Sequence, residues 1–217
     1  MPELSLLESV FVWAVPIVFA ITVHEVAHGW VANQLGDSTA KSRGRLTLNP
    51  VKHVDPVGTV ILPALLLYLG GVVFGWAKPV PVNWQNLGHP RRDMALVAVA
   101  GPLANLVMLF LWAVLAKILL VLNPSSTLEN LLLVMCAAGI SINIVLMVLN
   151  MIPILPLDGG RVMSSLLPVN ISRYYARLEP FGLILIVVLL FTGLLGKFLI
   201  PAVNFIQSLV YVLINQV

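Results

Sequence analysis

The sequence predicts an all-α polytopic membrane protein, a multi-helix bundle folded as a single membrane-embedded domain over residues 1–217. Of the 217 residues, 59% are hydrophobic and only 10% are charged, whereas a soluble domain carries about 25% charged residues. The mean hydropathy is +1.01. Apolar stretches of about 20 residues recur along the chain, and that length crosses a bilayer as a helix.

The apolar stretches that could cross the membrane follow one another with short polar breaks. They are Leu6–Val31, Pro56–Ala77, Met94–Leu122, Leu131–Ile152 and Phe181–Ile200, with a weaker one at Ala202–Ile214. The weakest carries polar residues at helical spacing, which suits either an interfacial helix or a helix with one face against protein. We expect no cleavable signal peptide, because Glu3 and Glu8 stand where a basic region would be.

The basic residues predict the orientation of the chain. One group follows the first apolar stretch and another follows the second: Lys41, Arg43, Arg45 and Lys52, then Lys78, Arg91 and Arg92. Loops rich in Lys and Arg face the cytoplasm. Both loops can do so only if Pro56–Ala77 enters the membrane and returns on the same side, as buried re-entrant segments do. An ordinary crossing helix with a weak charge violation is the alternative.

Two short stretches are interpreted as edge strands. The residues Arg45–Leu48 alternate in polarity, and the prolines of Pro79–Val82 favour an extended backbone. Proline removes a donor from the ladder, so such strands belong at the edge of a sheet. Plain loop is the alternative for both.

The run His24-Glu25-Val26-Ala27-His28 is the clearest chemical motif of the chain. On a helix, residues four apart share a face, so His24 and His28 can present two imidazoles to one metal ion. The carboxylate of Glu25 can then reach the water that the metal activates without itself binding the metal. Ionisable groups in an apolar span are costly and mark functional sites. The pattern therefore predicts a zinc peptidase site inside the membrane.

A third metal ligand is required, and Asp158 is the best candidate. The carboxylate follows a long apolar stretch, where Pro153 and Pro156 break the helix and Gly159-Gly160 let the backbone turn. A thermolysin-like Glu about 20 residues downstream of the histidines is absent from the sequence. A helix-capping or turn aspartate at the membrane surface is the alternative for Asp158.

These motifs together resemble those of the site-2 protease family of intramembrane zinc metalloproteases. The resemblance rests on H-E-x-x-H in a first membrane helix and on Asn150-x-x-Pro153-x-x-Pro156-Leu157-Asp158-Gly159 in a later one. The segment Ala100–Asn105 is similar to the Gly-Pro helix of the family. No PDZ domain and no nucleotide-binding domain is visible. The run Asn49-Pro50-x-x-His53-x-Asp55-Pro56-x-Gly58-Thr59, followed by an extra hydrophobic segment, resembles the compact bacterial members. The resemblance implies one Zn²⁺ per chain bound by His24, His28 and Asp158, with Glu25 as catalytic base.

The same resemblance implies the partners and the location. The expected partners are a transmembrane protein substrate and membrane lipid, with neither nucleic acid nor nucleotide, and the oligomeric state stays open. The expected location is the bacterial inner membrane, with a multi-pass chain. The basic loops predict that its active site lies toward the cytoplasm.

Other residues and another class of function stay open at this point. Asn105 and Asn150 are candidates for substrate binding or oxyanion support, with helix packing as the alternative. We interpret His53 and His89 as ordinary interfacial residues. A divalent-metal transporter or a non-proteolytic membrane binding protein could use the same His/Asp site, but Glu25 would then have no role.

Overall fold

The computed structural model describes residues 5–61, 64–65, 68, 75–122 and 126–215, and its regular structure is helical. Two long antiparallel helices, α3 and α4, are flanked by α1 and α8, and shorter helices follow α4. The helices are α1 (Leu6–Gln34), α2 (Thr39–Ser42), α3 (Pro90–Val121), α4 (Thr127–Asn150), α5 (Asp158–Leu166), α6 (Val169–Ala176), α7 (Glu179–Phe191) and α8 (Leu194–Asn215). Short helical turns lie at Pro50–Lys52, Pro56–Ile61 and Trp84–Asn86.

Four helices in the described part of the chain are long and apolar enough to cross a membrane: α1, α3, α4 and α8. A fifth span results if α6 and α7, which are bent by 63° at their junction, are counted as one. These helices confirm the prediction of an all-α, multi-pass membrane protein.

The helices begin and pack where the sequence dictates. Ser5 and Ser126 cap α1 and α4, each in a capping box with the Glu three residues on. The core between α3, α4 and α8 is apolar, and Leu109, Cys136 and Ile144 are almost wholly buried in it. Gly139 lets α4 approach α3 closely, because a methyl group there would lie 2.5 Å from the Trp112 ring.

The end of α1 and the start of α3 are held together at one side of the bundle. The backbone N–H of Gly88 donates to the carbonyl of Leu35 over 3.1 Å. Asp37 accepts hydrogen bonds from the backbone N–H of Asn83 over 2.7 Å and from the Asn86 side chain over 2.9 Å. Burial alone would raise the pKa of Asp37, but these hydrogen bonds and those from Thr39 hold it below its ordinary value.

The two ends of the predicted re-entrant segment also lie together. The backbone N–H of Trp76 donates to the carbonyl of Gly58 over 3.1 Å, and that of Lys78 donates to the carbonyl of His53 over 2.9 Å. The ends of a crossing segment would be separated by about 30 Å of hydrocarbon. The two ends of Pro56–Ala77 therefore lie close together, which is the arrangement that a re-entrant segment requires. Most of the stretch between, at 62–63, 66–67 and 69–74, lies outside the described residues.

The prediction of edge strands is wrong, because neither Arg45–Leu48 nor Pro79–Val82 forms a strand in the structure. Both are irregular connections held by side chains. The Arg45 guanidinium donates to the carbonyl of Lys78 over 2.8 Å, and the N–H of Val80 donates to a carboxylate over 2.7 Å. Pro79 and Pro81 have no N–H, and the N–H of Val80, which an edge strand would offer to a partner, is engaged by this carboxylate.

The predicted boundary between the last two apolar stretches is also wrong. The sequence suggested a helix over Phe181–Ile200 and another from Ala202. In the structure the break falls earlier, where Gly193 adopts a positive φ of 72° after α7, a conformation that favours glycine. Pro201 lies inside α8 and does not end it. The whole of Leu194–Ile214 is thus one apolar helix long enough to span.

Candidate metal centre

Three side chains from α1 and α5 converge on one point. The Nε2 atoms of His24 and His28 lie 3.0 Å apart. The carboxylate oxygens of Asp158 lie 3.3 Å from His24 Nε2 and 3.4 Å from His28 Nε2. Among the described residues this is the group of three His, Cys, Asp or Glu side chains placed to hold one metal ion. The three predicted ligands are therefore brought together by the fold.

The outer ring nitrogens of both histidines face oxygen atoms. His28 Nδ1 donates to the backbone carbonyl of Val97 over 2.7 Å, and His24 Nδ1 contacts the side-chain oxygen of Asn105 over 2.6 Å. A carbonyl oxygen only accepts hydrogen bonds, so each neutral ring carries its proton on Nδ1. The two Nε2 lone pairs then face each other and the Asp158 carboxylate. A cation placed between these lone pairs and the carboxylate stabilises such an arrangement.

The arrangement fits zinc. Ligand atoms about 2.0–2.2 Å from a tetrahedral zinc ion are separated from one another by about 3.3 Å, which matches the three separations in this cluster. Asp158 Oδ2 is buried and has no hydrogen-bond donor, as expected for a ligand atom. Three protein ligands leave a fourth position for water or substrate, which is the pattern of catalytic zinc sites.

The loop before α5 holds Asp158 in place. Gly159 and Gly160 pack directly on this loop, where a methyl group on Gly160 would lie 2.8 Å from the carbonyl oxygen of Ile154. The Tyr175 hydroxyl of α6 donates to the carbonyl of Pro153 over 2.8 Å. The sequence predicted the turn at the two glycines but not its support by α6.

Glu25 lies beside the cluster on α1 and is held by a backbone donor. The N–H of Val80 donates to Glu25 Oε2 over 2.7 Å. Val80 lies between two prolines, so its N–H is the only backbone donor of Pro79–Pro81. One carboxylate oxygen of Glu25 is thus engaged by the chain, and the other is the one that can face a reacting water.

The remaining candidates occupy different positions. Asn105 is wholly buried and bonded to His24, whereas the Asn150 amide donates to the carbonyl of Leu146 within its own helix. His53 is buried with its Nε2 2.9 Å from the carbonyl of Thr47, and His89 is exposed before α3. Neither histidine belongs to the cluster. The sequence spacing did not reveal that Val97 contacts His28 or that Val80 contacts Glu25, because both valines make these contacts with backbone atoms.

Gly101 of α3 faces the cluster, and we expect Gly101→Ala to block it. A methyl group there would lie 2.6 Å from His24 Nε2 and closer still to His28 Nε2. The histidines must move, so zinc affinity should fall by at least the roughly 10–100-fold that supporting residues cost. Competition with a chelator of known affinity measures the effect.

Gly196→Ala is the matched control for this variant. The nearest atom to an added methyl group there is Ile200 Cδ1 at 3.6 Å, which is an ordinary contact. Zinc affinity should stay at the wild-type value in this variant. Equal affinity in the two variants would contradict the position that the structure gives to Gly101.

The fold and the site define a multi-pass membrane protein with a candidate His/His/Asp metal centre. The chain is 39% identical over 196 residues to Putative zinc metalloprotease YwhC of Bacillus subtilis, with 88% of this chain and 84% of that protein covered. It is 31% identical to Putative zinc metalloprotease Rip2 of Mycolicibacterium smegmatis and 30% identical to that of Mycobacterium tuberculosis, covering 66% and 65% of their lengths. No family model and no solved structure matches. The chain belongs to the site-2 protease family of zinc metalloproteases.

Proposed function

We propose that this protein is an intramembrane zinc metalloprotease that hydrolyses peptide bonds of transmembrane protein substrates. The observation that carries the proposal is the position of Glu25 beside a His/His/Asp cluster whose two histidines lie on the apolar helix α1. One Zn²⁺ per chain is held by His24, His28 and Asp158. The whole of residues 1–217 acts as one membrane-embedded domain, with lipid around it.

Zinc, when bound, supplies a Lewis acid that makes water nucleophilic near neutral pH. Glu25 accepts the proton of the attacking water and hands it to the leaving amine, as a general base and then a general acid. The Val80 N–H holds one oxygen of the Glu25 carboxylate and so fixes the direction of the other. Val97 and Asn105 hold the two imidazole rings, and none of these residues reacts.

For Asn105 and Asn150 the contacts favour support over substrate binding. The side-chain oxygen of Asn105 is engaged with His24, and its amide donates to Asn143 over 2.9 Å. The Asn150 amide is engaged with Leu146. We propose that Asn105 orients a metal ligand, and that substrate contacts by Asn150 require this helix-internal bond to open.

We propose that the active site opens to the cytoplasmic side of the inner membrane. His28 and His24 lie six and ten residues before Gln34, which places them about 9–15 Å from that end of α1. Basic residues cluster beyond this end, at Lys41–Lys52, and mark the cytoplasmic face. The catalytic water therefore has a short path from the cytoplasm.

Single cysteines in a Cys136→Ser background test this orientation. We place them at exposed positions after α1, before α3 and at the start of α4: Ser42, Gln85 and Thr127. An impermeant thiol reagent added to intact spheroplasts should label only Thr127→Cys. Permeabilised membranes, the control, should expose all three. Labelling of Gln85→Cys but not Ser42→Cys would show that the segment between them crosses the membrane.

A divalent-metal transporter is the rival function, and reconstitution separates the two. Zinc-loaded wild-type protein in proteoliposomes, presented with a panel of single-span reporter proteins, should release fragments whose new termini lie within the span. A chelator should stop the release, and added zinc should restore it. Zinc flux into the vesicles without any cleavage of the panel would favour the transporter and contradict the protease.

A further inference from the structure

We propose that Asn143 is a positioning residue of the metal centre, which holds the Asn105 amide in the orientation that frees His24 Nε2 for zinc. The inference rests on the proposed function, because it concerns the zinc ligand His24. Asn143 lies on α4, a helix that contributes no ligand to the cluster.

A continuous series of hydrogen bonds joins α4 to the metal centre. The Asn143 amide donates to the carbonyl of Gly139 over 2.8 Å, and its side-chain oxygen accepts from the Asn105 amide over 2.9 Å. The Asn105 oxygen in turn lies 2.6 Å from His24 Nδ1. Four groups on three helices are thus ordered in one direction, from a backbone carbonyl to a metal ligand.

The direction of this series is fixed at its far end. The carbonyl of Gly139 can only accept, so the NH₂ group of Asn143 must face it and its oxygen must face Asn105. The NH₂ group of Asn105 is then directed at Asn143, and at the carbonyl of Ala20 over 3.4 Å. Its oxygen is left for His24, whose Nδ1 must carry the proton.

Rotating the Asn105 amide by a half turn would disable His24 as a ligand. Its NH₂ group would then face Nδ1, which selects the tautomer with the proton on Nε2. A protonated Nε2 has no lone pair for a metal. With Asn143 in place, that rotation also brings the side-chain oxygens of Asn105 and Asn143 face to face. Their repulsion opposes the rotation. Without Asn143, the long hydrogen bond from the Asn105 amide to the carbonyl of Ala20 is the contact that still restrains this rotation.

Burial makes this restraint effective. Asn105 and Asn143 are both 0% exposed, so bulk water does not replace a lost partner, and buried polar groups keep the partners that the protein supplies. The close approach of α3 and α4 at Gly139, described above, brings the two amides together. Simple packing of amides between membrane helices would need neither this direction nor a link to His24.

The test is the zinc affinity of Asn143→Leu, a variant of similar size without polar atoms. We expect the affinity to fall by about 10-fold, at the lower end of the effect of residues that support a ligand. Affinity is measured by competition with a chelator, on folded protein in detergent. Ile144→Ala is the control, because Ile144 is also 0% exposed on α4 but touches no polar group of the series. It should lower thermal stability and leave zinc affinity unchanged.

A second measurement uses the wild-type protein and does not depend on the folding of a variant. In zinc-free protein, ¹⁵N NMR of the histidine rings should show His24 with its proton on Nδ1. Protonation on Nε2 would overturn the inference, as would wild-type zinc affinity in Asn143→Leu. Wild-type protein that binds no zinc would overturn the proposed function and this inference with it, so the two failures are distinguishable.

Discussion

His24→Ala, His28→Ala and Asp158→Ala are each expected to purify without the one zinc ion that the wild-type protein carries. Each variant leaves two protein ligands where a catalytic zinc site uses three. The loss of affinity should exceed the roughly 10–100-fold effect of removing a residue that only supports a ligand. Elemental analysis of the purified protein, expressed as zinc per chain, gives the result.

His89→Ala is the control for the three ligand variants. His89 lies exposed before α3, outside the cluster, so its removal should leave one zinc per chain. Unchanged zinc content in Asp158→Ala would exclude Asp158 as a ligand. The buried ring of His53, whose Nδ1 has no hydrogen-bond partner, would then be the next residue to test.

Glu25→Gln is expected to keep its zinc and to lose cleavage of transmembrane substrates. The amide keeps the size of the side chain and still accepts a hydrogen bond from Val80, but it cannot take up the proton of water. General acid–base catalysis contributes about 10²–10⁴-fold, so cleavage should fall by that factor or more. Rates of fragment release in proteoliposomes, compared at equal zinc content, measure the loss.

Gln85→Glu is the control variant, because it exchanges a carboxylate and an amide side chain at a different position. The Gln85 side chain is exposed in the turn before α3, away from the metal cluster, so cleavage should continue at the wild-type rate. Cleavage by Glu25→Gln at the wild-type rate would exclude Glu25 as the base. Zinc flux that persists in Glu25→Gln, without proteolysis in the wild type, would identify a transporter.

The sequence predicted the three side chains of the cluster from local spacing and composition, and the structure brings them together. His24 and His28 share a helix face by virtue of the helical repeat alone. Asp158 is separated from His28 by 130 residues, and it was found because a carboxylate between prolines and glycines at the end of an apolar stretch is unusual. The order of the loop charges predicted that Pro56–Ala77 returns to the side from which it leaves, and the structure places the two ends of this segment close together.

Other features could not be predicted, because they depend on tertiary contacts. Pro79–Val82 forms no strand, and the N–H of Val80, which lies between two prolines, donates to Glu25. Composition does not show which glycine will end a helix, so the break at Gly193 was missed. The link from His24 through Asn105 to Asn143 joins residues 38 or more positions apart, and no spacing rule reports it.

X-ray absorption at the zinc edge of the purified wild-type protein tests most directly whether one metal ion is held by two histidines and an aspartate within the membrane. We expect only nitrogen and oxygen neighbours at about 2.0–2.2 Å, with the outer scattering of two imidazole rings. His24→Ala, where it retains any zinc, should lose one ring. A sulfur neighbour at about 2.3 Å, or a spectrum without imidazole, would contradict the His24, His28 and Asp158 centre.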